Sequence, residues 1–112
     1  YFLTRKGQGA AVERTQAYKY QSLGAGFRNR KADPFIVTVE PKEDDAPIYE
    51  NSHAGQEFNI ILEGRMMLKI AGKEIILSEG DSIYFRSTIP HKYLNKHKED
   101  CVSVWAMTPT FF

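Results

Sequence analysis

Two stretches decide how this chain folds: NSHAGQEFNIILEG, residues 51–64, and GDSIYFRSTIPHKYLN, residues 80–95. The first enters a strand at Glu57 and stops at Gly64. Along a strand alternate side chains share a face, so Glu57, Asn59 and Ile61 point one way and Phe58, Ile60 and Leu62 the other. The second stretch holds two short strands, residues 82–85 and 91–95, around a turn-forming segment that ends in Pro90. By the same alternation His91, Tyr93 and Asn95 share a face. Both stretches therefore place polar, chemistry-bearing side chains on strand faces that also carry apolar ones.

Working outward, the same texture continues. Residues 65–70 and 73–77 are strands joined by Ala71-Gly72, and residues 102–107 form a last strand after the charged turn 96–100. Upstream, residues 17–21 alternate until Gly24 and Gly26, and the β-branched run 35–40 ends at Pro41. Residues 42–47 read as a charged loop. Residues 1–15 lack periodicity, so they are expected to be an arm or linker, leaving 16–112 for the folded body. The arm and the segment after it are basic (Arg5, Lys6, Arg14, Lys19, Arg28, Arg30, Lys31), which suits a solvated surface or a face for a neighbouring domain. No segment of ten or more residues carries a helical stripe. Short strands at regular spacing in 112 residues predict a single all-β domain, an antiparallel sandwich or barrel.

Composition narrows the function. With 42% apolar and 12% aromatic residues the chain supports a packed core. Fifteen Lys and Arg stand against fourteen Asp and Glu, a formal charge of +1, which excludes the strong basic excess of a direct DNA binder. One cysteine, Cys101, rules out an internal disulfide, and a cytoplasmic location is expected. Beside Asp100 with no basic neighbour in sequence, this thiol reads as inert packing. No apolar run reaches membrane-spanning length. A start at Tyr1 instead of methionine leads us to expect a further domain upstream.

The candidate site follows from the two quoted stretches. If both strands line one barrel, His53, Glu57 and His91 can converge, and two imidazoles with one carboxylate suit Fe(II), Mn(II), Ni(II) or Zn(II) with positions left open. Asn51 is placed to add a weak carbonyl donor. A metal-free polar pocket in which these groups bond one another and an organic ligand remains an alternative, as do plain structural histidines. Asn59, Arg86, Tyr93 and Trp105 are the further candidates for contact with a small molecule. Arg86 would pair with a carboxylate or phosphate, or else with a loop acid such as Glu79 or Asp81. Trp105, with Met66, Leu68, Ile70 and Met107, equally suits the core. His97, inside a charged turn, reads as a solvated loop residue.

These two stretches resemble the paired motifs of the cupin superfamily. His53, Glu57 and Gly64 fall on the second His, the Glu and the closing Gly of the first motif, written G-x5-H-x-H-x3-4-E-x6-G. Gly80, His91 and Asn95 fit the second, G-x5-P-x-G-x2-H-x3-N. The chain departs from the pattern at Asn51 (first His), Arg86 (Pro) and Thr88 (Gly), and it has no Gly at the opening position. The resemblance implies a double-stranded β-helix, the jelly-roll barrel, with a metal held by His53, Glu57 and His91. The run from Gly80 to His91 is similar to the C-terminal cupin domain of Xre-type helix-turn-helix regulators. That implies a small-molecule effector, a homodimer, and DNA contact only through a separate N-terminal domain. The alternative is a free-standing metal-dependent cupin enzyme of the dioxygenase, isomerase or decarboxylase type; such enzymes usually keep the first His.

Overall fold

The structure, a computed structural model, describes residues 1–15, 18–42 and 53–109, with the backbone alone for 11–15. Asn51 and most of the charged segment 42–47 lie outside the described residues. Among the described residues nine strands run in order: β1 (Ala10–Thr15), β2 (Tyr18–Ser22), β3 (Asp33–Val39), β4 (Gln56–Glu63), β5 (Arg65–Ile70), β6 (Lys73–Ser78), β7 (Ser82–Arg86), β8 (His91–Leu94) and β9 (Cys101–Thr108). No helix occurs among the described residues. None is therefore long and apolar enough to cross a membrane.

Six strands form one sheet in the order β1-β2-β3-β9-β4-β7, and three form the other in the order β6-β5-β8. All pairings are antiparallel. Non-sequential neighbours such as β3-β9-β4 make this a jelly-roll barrel: all-β as strand spacing predicts, and the double-stranded β-helix that the resemblance implies. Period-two alternation builds the inside. On β3, residues 33, 35, 37 and 39 are buried and their neighbours half-buried, and β9 repeats the pattern at 101, 103, 105 and 107. Phe35, Val37, Val39, Ile61, Met66 and Leu68 fill the interior between the sheets. Each such side chain, fully removed from water, contributes about 1.5–3 kcal/mol.

The expected arm is shorter than residues 1–15. Its last six residues are β1, which pairs with β2 from Ala10↔Ser22 onward and slips register between Val12 and Thr15. An edge strand is bonded on one side only and held by backbone, so Ala-Ala-Val-Glu-Arg-Thr needs no alternation to form one. At the β4–β5 junction Gly64 has φ +76°, and a Cβ there would stand 2.6 Å from the Asp100 carbonyl oxygen. The turn thus closes against the start of β9 only because that residue is glycine.

Candidate metal centre

The inward face of β4 carries Glu57, Asn59 and Ile61, and that of β8 carries His91 and Tyr93, all buried. β4 belongs to the large sheet and β8 to the small one, so these side chains meet across the barrel. His53 arrives from the segment before β4. Gly55 fixes that segment: its φ is +107°, and a Cβ would fall 1.6 Å from the Thr108 carbonyl oxygen. The His53 N–H donates to the Ser87 carbonyl, and the Ser87 N–H donates to the Gly55 carbonyl, both at 2.9 Å. The loop that delivers His91 is thereby clipped to the one that delivers His53.

Three donor atoms converge there. His53 Nε2 and His91 Nε2 each lie 3.6 Å from Glu57 Oε1, and one ligand atom from each of the three residues falls within 4.8 Å of the others. The other ring nitrogens are engaged with carbonyls. His91 Nδ1 is 2.8 Å from Ile89 O, and His53 Nδ1 is 3.3 Å from Ala54 O. A carbonyl only accepts, so each Nδ1 is the donor, and in the neutral ring Nε2 presents a lone pair. A separation of 3.6 Å is too long for a hydrogen bond between the site atoms themselves. Ligands about 2.0–2.2 Å from one ion stand roughly 3.0–3.5 Å apart, so a small closure would bring all three onto a cation. The donor set fits a divalent transition metal on chemistry as well as distance.

Behind the three lies a buried polar chain. Tyr93 Oη donates to Glu57 Oε2 at 2.5 Å, and Asn59 Nδ2 donates to Tyr93 Oη. Burial, then the neighbouring Glu57 carboxylate, pushes the Tyr93 phenol well above its ordinary pKa, so it stays a donor. Tyr18 Oη donates to the Tyr93 carbonyl at 2.5 Å, and burial likewise raises the Tyr18 phenol. The Tyr93 ring packs against Trp105 with centroids 4.4 Å apart, and Trp105 Nε1 donates to Ser103 Oγ at 2.8 Å. Asn59 Oδ1 and Ser87 Oγ are buried with no hydrogen-bond partner among the described residues.

The candidates from sequence divide accordingly. His53, Glu57 and His91 come together, with Tyr93 and Asn59 behind them and Trp105 packed on the Tyr93 ring. Arg86 does not join them. It is exposed and follows buried Phe85, so the alternation that sends Phe85 inward sends Arg86 out. Asn95 does not share the face of His91 and Tyr93, because β8 ends at Leu94. Its amide instead donates to Val39 O and Glu99 O, and its Oδ1 accepts from His97 N–H. Sequence reasoning passed over Phe85, whose ring lies 4.9 Å from that of His91, and Ser87; only the apolar parity of β7 pointed to the former. A surface groove of about 700 Å³ sits at the opposite end of the barrel, between residues 64–65, 78–79 and 96–99. It is distant from the donor atoms, and convergent chemistry, not open volume, marks the site.

A model of the cupin domain matches residues 35–107. The chain is a cupin. This cupin is 37% identical over 60 residues to the HTH-type transcriptional regulator PuuR of Escherichia coli K12, covering 54% of this chain and 32% of the regulator. It is 30% identical over 80 residues to the (S)-2-hydroxypropylphosphonic acid epoxidase of Streptomyces wedmorensis, covering 68% of this chain and 40% of the epoxidase. These matches thus span about a third to two-fifths of the curated relatives. Among solved structures, the hydroxypropylphosphonic acid epoxidase superposes with a TM-score of 0.81 at 22% identity, over 96% of this cupin and 59% of that chain. The same fold recurs in the cupin domain of an XRE family transcriptional regulator from Enterobacter cloacae. There the TM-score is 0.69 at 20% identity, over 85% of this cupin and 99% of that chain. The cupin is therefore related both to regulators and to an enzyme.

Proposed function

We propose that this cupin is the effector-sensing domain of a bacterial, cytoplasmic transcriptional regulator, binding a small molecule at a divalent metal held by His53, Glu57 and His91. The observation that carries the site is the convergence of two imidazole Nε2 atoms and Glu57 Oε1, with each Nδ1 tied to a carbonyl. Fe(II), Mn(II), Ni(II) or Zn(II) suits this donor set, and the bound ion would supply open positions for an outside ligand. His53, half-buried, faces the entrance, while buried Glu57 and His91 anchor the ion. Asn59 Oδ1, buried without a partner among the described residues, would accept from an N–H or O–H of the small molecule. Trp105 and the Tyr93 ring would give that molecule an apolar wall.

The regulator role is supported by the similarity to PuuR and to the XRE family cupin domain. In this reading a helix-turn-helix domain ahead of Tyr1 binds DNA, and a homodimer matches a palindromic operator. The effector then shifts DNA affinity by as much as it prefers one DNA-binding state over the other. Gel-shift assays of the full-length protein on its own promoter test this. Operator affinity that depends on metal and effector is the expected result; full-length protein without DNA binding rejects it. The second reading, a metal-dependent enzyme, is favoured by the 30% identity to the epoxidase. Oxygen uptake by the metal-loaded protein with hydroxy-acid or phosphonate substrates would move the assignment to that class.

A further inference from the structure

A carboxylate binds a cation through one oxygen or through two. In this chain the second oxygen of Glu57 is already committed, to Tyr93 Oη at 2.5 Å. The direction of that bond is forced. A carboxylate accepts only, so the single phenol hydrogen goes to Oε2. The phenol oxygen is then free to accept, and Asn59 Nδ2 donates to it. Tyr93 has little freedom to leave: its carbonyl accepts from Tyr18 Oη, its ring rests on Trp105, and its backbone pairs with Leu68 on β5.

Resting on the metal reading above, we infer that Tyr93 is a positioning residue: backed by Asn59, it holds Glu57 Oε2 off the centre, so that Glu57 gives a bound cation one oxygen. A bound cation that takes six donors would then have three from the protein and about three from outside ligands, where a two-oxygen Glu57 would leave about two. The extra position admits a small molecule that chelates through two donor atoms while a water stays bound. The Tyr93 hydroxyl touches neither the ion nor that molecule in this arrangement; it acts through Glu57.

The test counts metal-bound water with Mn(II) as the probe, through water-proton relaxation and ¹⁷O broadening. The parent protein is expected to take up one Mn(II) with about three waters. Tyr93→Phe, which keeps the ring on Trp105, is expected to fall to about two, lowering the inner-sphere relaxation by about a third. Asn59→Leu, which removes the amide behind the phenol, is expected to shift the count in the same direction by less. Near-UV circular dichroism of Trp105 verifies that each variant is folded. A folded Tyr93→Phe with the parental water count overturns the inference and leaves the metal centre standing. Should Tyr93→Phe not fold, the parent decides alone, three waters supporting the inference and two overturning it. A parent that takes up no Mn(II) overturns the inference and the metal reading together.

Discussion

Replacing Glu57 with glutamine changes the chemistry of one atom and almost no volume. Because Tyr93 Oη must donate and already accepts from Asn59, the glutamine oxygen is forced into the Oε2 position. Its amide nitrogen then takes the place of Oε1, 3.6 Å from both imidazole Nε2 atoms. With both imidazoles neutral, two lone pairs that faced a carboxylate would face two N–H donors, and closing by about 0.6 Å makes hydrogen bonds of ordinary length. Relieving this buried mismatch of acceptors is worth about 1–3 kcal/mol to the metal-free protein. At about 4 °C per kcal/mol for a domain of this size, the melting temperature should rise by roughly 4–12 °C. The same change removes the anionic ligand and plugs the site. Metal at one hundred times its dissociation constant should raise the parent by about 2.7 kcal/mol, or roughly 10 °C, because the ion ties β4 in one sheet to β8 in the other. Glu57→Gln should show no such rise. Differential scanning calorimetry with and without Co(II) reads both effects. A variant that melts well below the metal-free parent, or still gains stability from Co(II), would refute the reasoning.

Three further outcomes follow from other residues. Gly55→Ala should cost more than about 2 kcal/mol and abolish metal uptake, because a Cβ 1.6 Å from Thr108 O displaces the segment carrying His53; denaturant titration and equilibrium dialysis measure the two. Asn95→Ala should lower stability by about 2–4 kcal/mol through three lost bonds to backbone while leaving metal affinity intact, as calorimetric titration would show. Cys101, with its thiol pushed from the ordinary 9.0 to about 11 by burial, should resist disulfide reagents at pH 8. Since the unfolded chain ionises this thiol first, stability should fall as pH rises from 9 towards 11, and Cys101→Ser should reduce that slope in pH-dependent melting.

Much of this architecture was legible in the sequence because alternation and turn chemistry are local. The 56–63, 65–70 and 101–108 strands announce themselves by period two and by Gly64, and their inward residues are the ones the pattern names. The spacing of His53, Glu57 and His91 pointed to convergence, which needs only that β4 and β8 face each other. What stayed hidden depends on partners and endpoints. β1 is held by backbone pairing at an edge and leaves no hydrophobic signature. Asn95 has the right parity, but the strand stops one residue short of it, and a single early turn reassigns its amide to the loop. Arg86 is exposed beside buried Phe85, as alternation requires, and so stands apart from the three donors. The bond from Tyr93 to Glu57 joins residues 36 apart and rests on side-chain geometry, which sequence periodicity does not encode.

The most direct measurement is anomalous diffraction at the metal edge from crystals grown with one equivalent of Co(II) or Zn(II). The account predicts a single peak per chain, about 2.0–2.3 Å from His53 Nε2, Glu57 Oε1 and His91 Nε2. A peak elsewhere, or crystals in which those three atoms hold no metal at saturating concentration, would contradict it.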